Sequence, residues 1–179
     1  MKKEVYYQYY VEGESEKCLI NALKTKLRCI VPGKVERFNV IQDIFNNSRL
    51  RSLKTGTNII LVYDTDTNDI ANLRKNIAFL KKQTAIANVF CIPQVYNLEQ
   101  ELVFSCDIRR AGELTQCQTI KDFKRTFIAC TNIDVRLKKC RFSMDRLWSR
   151  IPENNFCVFG NDSKQIRIHP EHLQDDVHK

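Results

Sequence analysis

An acidic segment near the N-terminus, Val11-Glu12-Gly13-Glu14-Ser15-Glu16-Lys17, separates two apolar patterns and organises the rest of the chain. Before it, the β-branched and aromatic run 5–11 predicts a mostly buried strand. After it, apolar residues at helical spacing over 16–28 predict an amphipathic helix with Ser15 as its N-cap. Gly13 is expected because the chain must turn sharply there from strand to helix. The segment is therefore predicted to be a tight turn that carries carboxylates.

A second acidic turn, Asp64-Thr65-Asp66, ends the apolar run 58–63. A near-continuous apolar run is typical of a central parallel strand that is covered on both faces. Strands and helices alternate over 5–106, which predicts an α/β layer with a mostly parallel sheet flanked by helices. Functional loops of such sheets lie at the carboxyl ends of the strands. Both acidic turns are predicted to lie there.

Weaker patterns complete the predicted elements. The core, 1–108, is expected to hold two more strands and two more helices: 35–40, 89–92 (stopped by Pro93), 69–83 (with Asn68 or Asp69 as its cap) and 98–106. A small basic extension, 109–179, is expected to be mainly helical, with a short hairpin and a frayed tail. Its predicted elements are a helix over 120–128, two short helices around 135–137 and 142–148, and hairpin strands 156–159 and 165–168.

Composition and charge limit the class of protein. The chain has 179 residues and a formal net charge of +8, and a basic surface favours polyanions such as nucleic acid. No apolar run approaches the ~20 residues that span a bilayer, and no signal-peptide cleavage site follows the first strand. None of the eight cysteines forms a CxxC pair. Reduced, mostly buried thiols in a cytoplasmic protein are therefore expected, and a zinc site is not.

The two acidic turns together indicate a metal site. Asp64 and Asp66 alternate along extended backbone, so both can point to one side of the strand end. Adjacent carboxylates repel unless a cation lies between them, and hard cations such as Mg²⁺ prefer oxygen ligands. Glu12 could supply a third ligand and Glu16 a fourth, one helical turn on. Each residue alone is better explained as a turn residue or as an acid favoured by the helix dipole, as Glu14 is, but the joint pattern favours the metal.

The two acidic motifs and their strands resemble the Toprim domain of topoisomerases, primases, recombination mediators and small nucleases. The resemblance covers roughly 4–105 and rests on Val11-Glu12-Gly13 and on Leu61-Val62-Tyr63-Asp64-Thr65-Asp66. It implies a compact sheet in which these two strands are adjacent, with bound Mg²⁺ or Mn²⁺. The additional Glu16 resembles the overcoming-lysogenization-defect nucleases and RloB-like proteins, in which the second acid joins the metal site.

The resemblance implies metal-dependent hydrolysis of phosphodiester bonds in nucleic acid, with Glu12, Asp64 and Asp66 as the catalytic core and Glu16 as a further ligand. Topoisomerase and primase activities need large extra domains, so a water nucleophile is expected. Glu99 is a candidate ligand of a second metal, although a solvated helix residue is slightly preferred. The chain has no Walker-type motif, so an ATPase would be a separate partner. Small proteins of this kind resemble effectors of bacterial anti-phage systems.

Three alternatives stay open. The substrate is DNA or RNA, and the oligomeric state is not determined by the sequence. The chain could also be a non-catalytic module that binds nucleic acid or a partner protein, with metal bound structurally. A metal-dependent phosphatase that acts on nucleotides is a third interpretation.

Seven basic residues are candidate contacts to nucleic acid: Lys17, Arg49, Arg51, Lys54, Lys138, Lys139 and Lys164. Lys17 is best placed, beside the acidic turn. The three residues over 49–54 are expected at the opposite end of the sheet, and they could reach a neighbouring phosphate only if their loop wraps back. Lys138 and Lys139 belong to the basic segment 121–150, for which a solvated helical face is the alternative. Lys164 is a candidate cation for the transition state, as is Arg167.

His169-Pro170-Glu171-His172 has two histidines at close spacing. The pair lies in a polar tail and is interrupted by proline, so a disordered tail is favoured over a metal site. The three histidines of the chain are confined to this tail, so no serine–histidine or cysteine–histidine catalytic set is predicted.

Overall fold

The computed structural model describes residues 5–168, so the predicted histidine tail lies outside the described residues. Strands and helices alternate through the first part of the chain, as predicted, and helices dominate the second part. None of the helices in the described range is long and apolar enough to cross a membrane. The elements are β1 Tyr6–Val11, α1 Glu14–Ala22, β2 Lys34–Arg37, α2 Asn47–Leu50, β3 Thr57–Asp64, α3 Ala71–Lys81, β4 Ile86–Gln94, α4 Leu98–Ser105, α5 Gly112–Thr115, α6 Ile120–Ala129 and α7 Ile133–Lys139.

The sheet has four parallel strands in the order β2-β1-β3-β4. This confirms the predicted α/β class and the parallel sheet. The strand before Glu12 lies directly beside the strand that ends in Asp64, in a register that pairs Val11 with Val62. Because both strands run in the same direction, their carboxyl ends meet at the same edge of the sheet.

Each face of the sheet carries its own apolar core, because successive side chains of a strand point to opposite faces. On one face, Ile60 and Val62 of β3 share a core with Leu19 of α1 and with Phe123 and Phe127 of α6. On the other face, Ile59, Leu61 and Tyr63 share a core with Leu73 and Leu80 of α3 and with Phe156. The helix α6 therefore packs on the same side of the sheet as α1. This position brings the polar residues of α6 towards the strand ends that carry Glu12 and Asp64.

The first helix begins earlier than predicted. Gly13 is its N-cap, and Ser15, the predicted cap, lies buried inside the first turn. The predicted helix over 16–28 is an α-helix up to Ala22 followed by one turn of π-helix, Leu23–Leu27. The acidic residues at positions 14 and 16 are therefore both first-turn residues, where the helix dipole favours negative charge.

The fourth strand corrects the prediction that Pro93 stops it. This strand continues through Pro93 to Gln94, whose register partner is Asp64. It forms an edge of the sheet, and an edge strand tolerates proline because one of its sides needs no donors for the ladder. As a result, Gln94 lies beside Asp64, at the carboxyl ends of the strands.

The predicted hairpin after position 155 is absent from the described residues. Its two segments are short 3-10 helices instead, Asn155–Phe159 and Ser163–Ile166. The loop between them covers the outer edge of β4, where the Asp162 carboxylate accepts a hydrogen bond from the Cys91 amide at 2.8 Å and the Asp162 amide donates to the Cys91 carbonyl at 2.8 Å. The loop thus covers part of the edge of the sheet that β4 would otherwise leave open.

Two further expectations need correction. Residues 142–148 form turns rather than the predicted helix, with Trp148 buried in a left-handed conformation. All eight cysteines are free, as predicted, but Cys91 and Cys106 alone are buried, and Cys157 is exposed.

Candidate metal and catalytic site

The two acidic turns meet. Glu12 follows β1 and is half-buried, and its Oε2 accepts a hydrogen bond from the main-chain N–H of Asp64 at 3.4 Å. The side chain of Asn39, from the loop after β2, also hydrogen-bonds Glu12. Burial raises the pKa of Glu12, and the charge of Asp66 raises it further, while these two hydrogen bonds favour the carboxylate. The ends of β1 and β3 therefore form one polar site.

Asp64 is the most strongly perturbed carboxyl group of this site. Burial, together with the charges of Glu12 and Glu16, raises its pKa to about 8. Gln94 opposes this shift because its Nε2 donates a hydrogen bond to Asp64 Oδ1 at 2.6 Å. Without a bound cation, the Asp64 side chain is therefore mostly protonated at neutral pH.

Thr65 holds the Asp-Thr-Asp turn in place. Its N–H donates to the carbonyls of Gln94 at 3.1 Å and Tyr96 at 2.9 Å, and its hydroxyl donates to the Gln94 carbonyl at 2.9 Å. The turn is thereby fixed to the end of β4. Asp66 beyond it is exposed, yet its charge raises the pKa of both Glu12 and Asp64.

Glu16 folds back over the turn at Gly13. The side chain is 8% exposed, and burial raises its pKa, as do the charges of Glu12 and Glu99. A Cβ atom on Gly13 would lie 2.9 Å from Glu16 Oε2. The expectation that Gly13 serves a sharp backbone turn is wrong, because its φ of −139° is extended backbone that any residue adopts. Glycine instead permits the close approach of the Glu16 carboxylate, which a Cβ atom would displace.

Glu99 is buried in the first turn of α4, at 7% exposure, so the preferred interpretation of a solvated residue is wrong. Its partner is Lys124 of α6, whose Nζ lies 3.2 Å from Glu99 Oε1. Burial lowers the pKa of Lys124, but the charge and hydrogen bond of Glu99 outweigh this effect, with support from Glu16 and Asp64, so that the pKa is raised. We call Glu12, Glu16, Asp64, Asp66 and Glu99 the acidic cluster.

Lys124, Asn39 and Gln94 were not singled out from the sequence. Lys124 is one of many basic residues in 121–150. Its position in a capped helix, directly after the buried Phe123, is the signal that distinguishes it from the others. Asn39 and Gln94 carry no such local signal.

A fully buried glutamate, paired with an arginine, holds the residues that position Gln94 beside Asp64. Glu101, at 0% exposure, accepts hydrogen bonds from the amides of Val95 at 2.9 Å and Trp148 at 3.0 Å and from Arg150 at 2.9 Å. The Trp148 indole N–H in turn donates to Gln94 Oε1 at 3.4 Å. Because this contact fixes which end of the Gln94 amide is the acceptor, the Nε2 end is directed at Asp64.

The acidic cluster has the donor chemistry for a hard divalent cation but not a preformed coordination shell. Within residues 5–168, no group of three or more histidine, cysteine, aspartate or glutamate side chains is arranged to hold a metal ion as it stands. Glu12 is oriented by Asp64 and Asn39, and Glu99 by Lys124. Carboxylates whose pKa values are raised by burial and mutual repulsion nevertheless fit Mg²⁺ or Mn²⁺, because a cation relieves both effects.

The candidate nucleic-acid contacts lie in different places. Lys17 is close to the acidic turn but is paired with Glu14, Nζ to Oε1 at 3.8 Å, and Glu14 also pairs with Arg37 at 3.2 Å. Glu14 is thus a surface acid, as predicted. Arg51, Lys138, Lys139 and Lys164 are exposed.

The loop that carries Arg49 and Lys54 extends along the sheet. The Arg49 guanidinium lies 4.5 Å from the ring centroid of Phe38, just beyond the carboxyl end of β2, so the loop does wrap back at this point. Lys54 Nζ lies 4.2 Å from the ring centroid of Tyr6, at the amino end of β1. Arg49 is therefore nearer to the acidic edge than Lys54.

Comparison with known proteins adds no relative: no family model, no curated protein and no solved structure matches this chain.

Proposed function

We propose that this chain is a metal-dependent nuclease of Toprim type, which hydrolyses phosphodiester bonds of nucleic acid with Mg²⁺ or Mn²⁺. The observation that carries the proposal is the hydrogen bond at 3.4 Å between the Asp64 amide and the Glu12 carboxylate. It joins the ends of two adjacent parallel strands, so the acids of both motifs share one site.

The charge around this site favours a divalent cation. Glu12, Glu16 and Asp64 all have raised pKa values, with burial as the largest cause and neighbouring carboxylates as a further one. Glu12, Asp64 and Asp66 would hold the ion, with Glu16 and Glu99 as further donors. When bound, the metal supplies Lewis-acid polarisation of the phosphoryl group and activation of a water nucleophile.

The protein groups around the acidic cluster have complementary roles. Gln94 fixes the Asp64 carboxyl group, and Asn39 orients Glu12, so both acids are held by neutral partners that do not compete with a cation. Lys124 places a positive charge beside the site, where it can stabilise charge that develops on the reacting phosphate.

The substrate class and the cellular setting are supported by other features. The net charge of +8 favours a polyanion such as DNA or RNA. The proposed setting is the cytoplasm, with a separate ATPase subunit in a bacterial anti-phage system, and its support is the resemblance of the two motifs.

The test is a cleavage assay on single-stranded and double-stranded DNA and RNA, with Mg²⁺, Mn²⁺ or EDTA. Asp64→Asn and Glu12→Gln should each lower cleavage by more than the roughly 10–100-fold that follows loss of an outer partner of a metal ligand. Glu14→Gln is the matched control, since Glu14 lies in the same turn but pairs at the surface. Cleavage that persists in EDTA, or equally in Asp64→Asn and Glu14→Gln protein, overturns the proposal.

A second candidate function is a non-catalytic module that binds nucleic acid or a partner protein. It is favoured by the ion pair between Lys124 and Glu99 at 3.2 Å, because a lysine can neutralise part of the acidic cluster without a metal. Calorimetric titration with Mg²⁺, together with the cleavage assay, separates the two candidates. Retention of nucleic acid without cleavage under any metal condition would favour the module.

A further inference from the structure

A cleft of about 680 Å³ opens beside the acidic cluster, and no step proposed so far uses it. It lies between the loops that follow β3 and β4 and the segment 150–154. This volume is within the range of about 300–1,000 Å³ that is typical of small-molecule sites. The residues that define it are Asp66, Asn68, Tyr96, Arg150, Ile151 and Asn154.

Tyr96 is the most unusual residue of this cleft. Its φ of 68° is in the left-handed region, which bulky side chains rarely adopt, and its side chain is 64% exposed. Reciprocal hydrogen bonds with Thr65 hold this conformation: the Thr65 N–H donates to the Tyr96 carbonyl at 2.9 Å, and the Tyr96 N–H donates to Thr65 Oγ1 at 3.0 Å. Strain of this kind persists only where surrounding bonds maintain it. The Asp-Thr-Asp turn thus positions an aromatic ring next to the acidic cluster.

The opening is preformed rather than loose. Asn154 Nδ2 donates to the carbonyls of Thr65 at 2.8 Å and Thr67 at 3.3 Å, which ties the 150–154 segment to the loop after β3. Ile151 of the same segment also lines the cleft and is 64% exposed. Two large apolar side chains that are exposed in one cleft favour a ligand with apolar faces.

The charges of the cleft disfavour a phosphate in its interior. Asp66 and Glu153 bring two carboxylates to its lining. Arg150 also lines it, but its guanidinium is paired with Glu101 at 2.9 Å and lies 4.4 Å from the ring centroid of Phe104. An uncharged, planar and partly polar group fits this environment, and a nucleobase has these properties.

We propose that the cleft is a nucleobase subsite, in which an unpaired base next to the cleaved phosphate stacks on Tyr96. This proposal rests on the proposed nuclease function and makes single-stranded or locally unpaired nucleic acid the substrate class. A base within a duplex has both faces covered by its neighbours, so it enters the cleft only after it leaves the stack. Asn68 lines the same cleft, whereas the side-chain amide of Asn154 is already bonded to the backbone of Thr65, Thr67 and Phe156.

The test measures binding of fluorescent single strands of deoxythymidine and uridine, and of a duplex, to Asp64→Asn protein in Mg²⁺. Adding Tyr96→Ala should raise the Kd for single strands roughly 5- to 150-fold, the effect of losing one base–aromatic stack. Tyr96→Trp should keep the affinity, and the Kd for the duplex should not change. Val158→Ala is the control, because its side chain is 62% exposed but lies in a different cavity.

A single abasic residue, moved stepwise along the strand, makes the test specific. It should weaken binding at one position in protein that carries Tyr96, and this positional loss should disappear in Tyr96→Ala protein. Equal affinity of Tyr96 and Tyr96→Ala protein, or a positional loss that persists without the ring, overturns the subsite and leaves the nuclease proposal standing. Absence of binding to every nucleic acid, by wild-type protein as well as by Asp64→Asn protein, overturns both.

Discussion

Replacing Asp64 by asparagine should stabilise the metal-free protein at neutral pH, although it removes a residue of the proposed catalytic site. Ionisation of the Asp64 carboxyl group is unfavourable without metal, because the group is buried and the charges of Glu12 and Glu16 oppose a further negative charge. Asparagine resembles the protonated carboxyl group in shape and keeps an oxygen for the hydrogen bond from Gln94.

The magnitude follows from the pKa of Asp64, which rises from 3.8 to about 8 on folding. Because the pKa of Asp64 is higher in the folded protein, binding a proton to Asp64 stabilises the folded state. This stabilisation is complete below pH 3.8 and is lost as the pH rises through 8. At pH 7 the loss spans about three pKa units, or about 4 kcal/mol at ~1.36 kcal/mol per unit. This is an upper limit, because the neighbouring carboxylates share the proton. The variant avoids the loss, which corresponds to a rise in Tm of up to about 16 °C.

The assay is urea unfolding in EDTA between pH 4 and pH 9, followed by the fluorescence of Trp148, the one tryptophan of the chain. The free energies of unfolding of the Asp64→Asn variant and the wild type should be similar near pH 4 and diverge up to pH 8. Glu14→Gln, which changes a surface acid, should show no such divergence. A variant less stable than the wild type at pH 7, or a difference that is the same at pH 4 and pH 8, refutes the reasoning.

Adding metal should narrow this difference in stability. A ligand that binds the folded state stabilises it by about 2.7 kcal/mol at a concentration of 100 times its Kd. Wild-type protein should gain this stability in Mg²⁺ or Mn²⁺, and Asp64→Asn protein should gain much less. The same pair of proteins thus reports both the repulsion within the acidic cluster and its relief.

Three further substitutions test the surroundings of the acidic cluster. Gly13→Ala should displace the Glu16 carboxylate and weaken Mn²⁺ affinity roughly 10-fold in calorimetry. The unfolding free energy should change by less than about 1 kcal/mol. An unaltered Mn²⁺ affinity would show that the contact between Gly13 and Glu16 does not position a metal ligand. Lys124→Met should lower metal-free stability more at pH 8 than at pH 5, because Asp64 is more fully ionised at pH 8 and loses a positive neighbour, and Mg²⁺ should restore the loss; a loss that is independent of pH would show that Lys124 acts through Glu99 or through packing rather than through Asp64. Glu101→Gln should cost about 3 kcal/mol in urea unfolding, because Arg150 loses a fully buried partner, and a near-neutral result would exclude a structural role for the pair.

The α/β class and the meeting of the two acidic turns could be predicted from the sequence. The apolar run before Asp64 indicates a strand that is covered on both faces, and the run before Glu12 indicates a second. Parallel strands place their carboxyl ends at one edge, so two motifs some fifty residues apart are expected to converge. The hydrogen bond between the Asp64 amide and Glu12 agrees with that expectation.

The partners of the acids could not be predicted in the same way. Gln94 was missed because Pro93 was expected to end its strand, whereas the edge position of β4 allows the strand to continue. Lys124 pairs with Glu99 across 25 positions of sequence, and periodicity gives the face of a helix but not the neighbour that it meets. The predicted hairpin was wrong for a related reason. The contacts of Asp162 with Cys91 hold its loop against β4, and the alternation of apolar residues in the sequence does not reveal them.

The side chains around the acidic cluster show how its charge can be kept in the fold. Neutral donors, Gln94 and Asn39, contact the acids of the two motifs, and they direct the carboxylates without removing their charge. The charged partner, Lys124, contacts Glu99 instead. A lysine bonded directly to Asp64 would stabilise the metal-free protein and compete with a divalent ion. Because Lys124 pairs with Glu99 and not with Asp64, the pKa of Asp64 stays raised. A metal bound between β1 and β3 would supply the positive charge that Asp64 lacks.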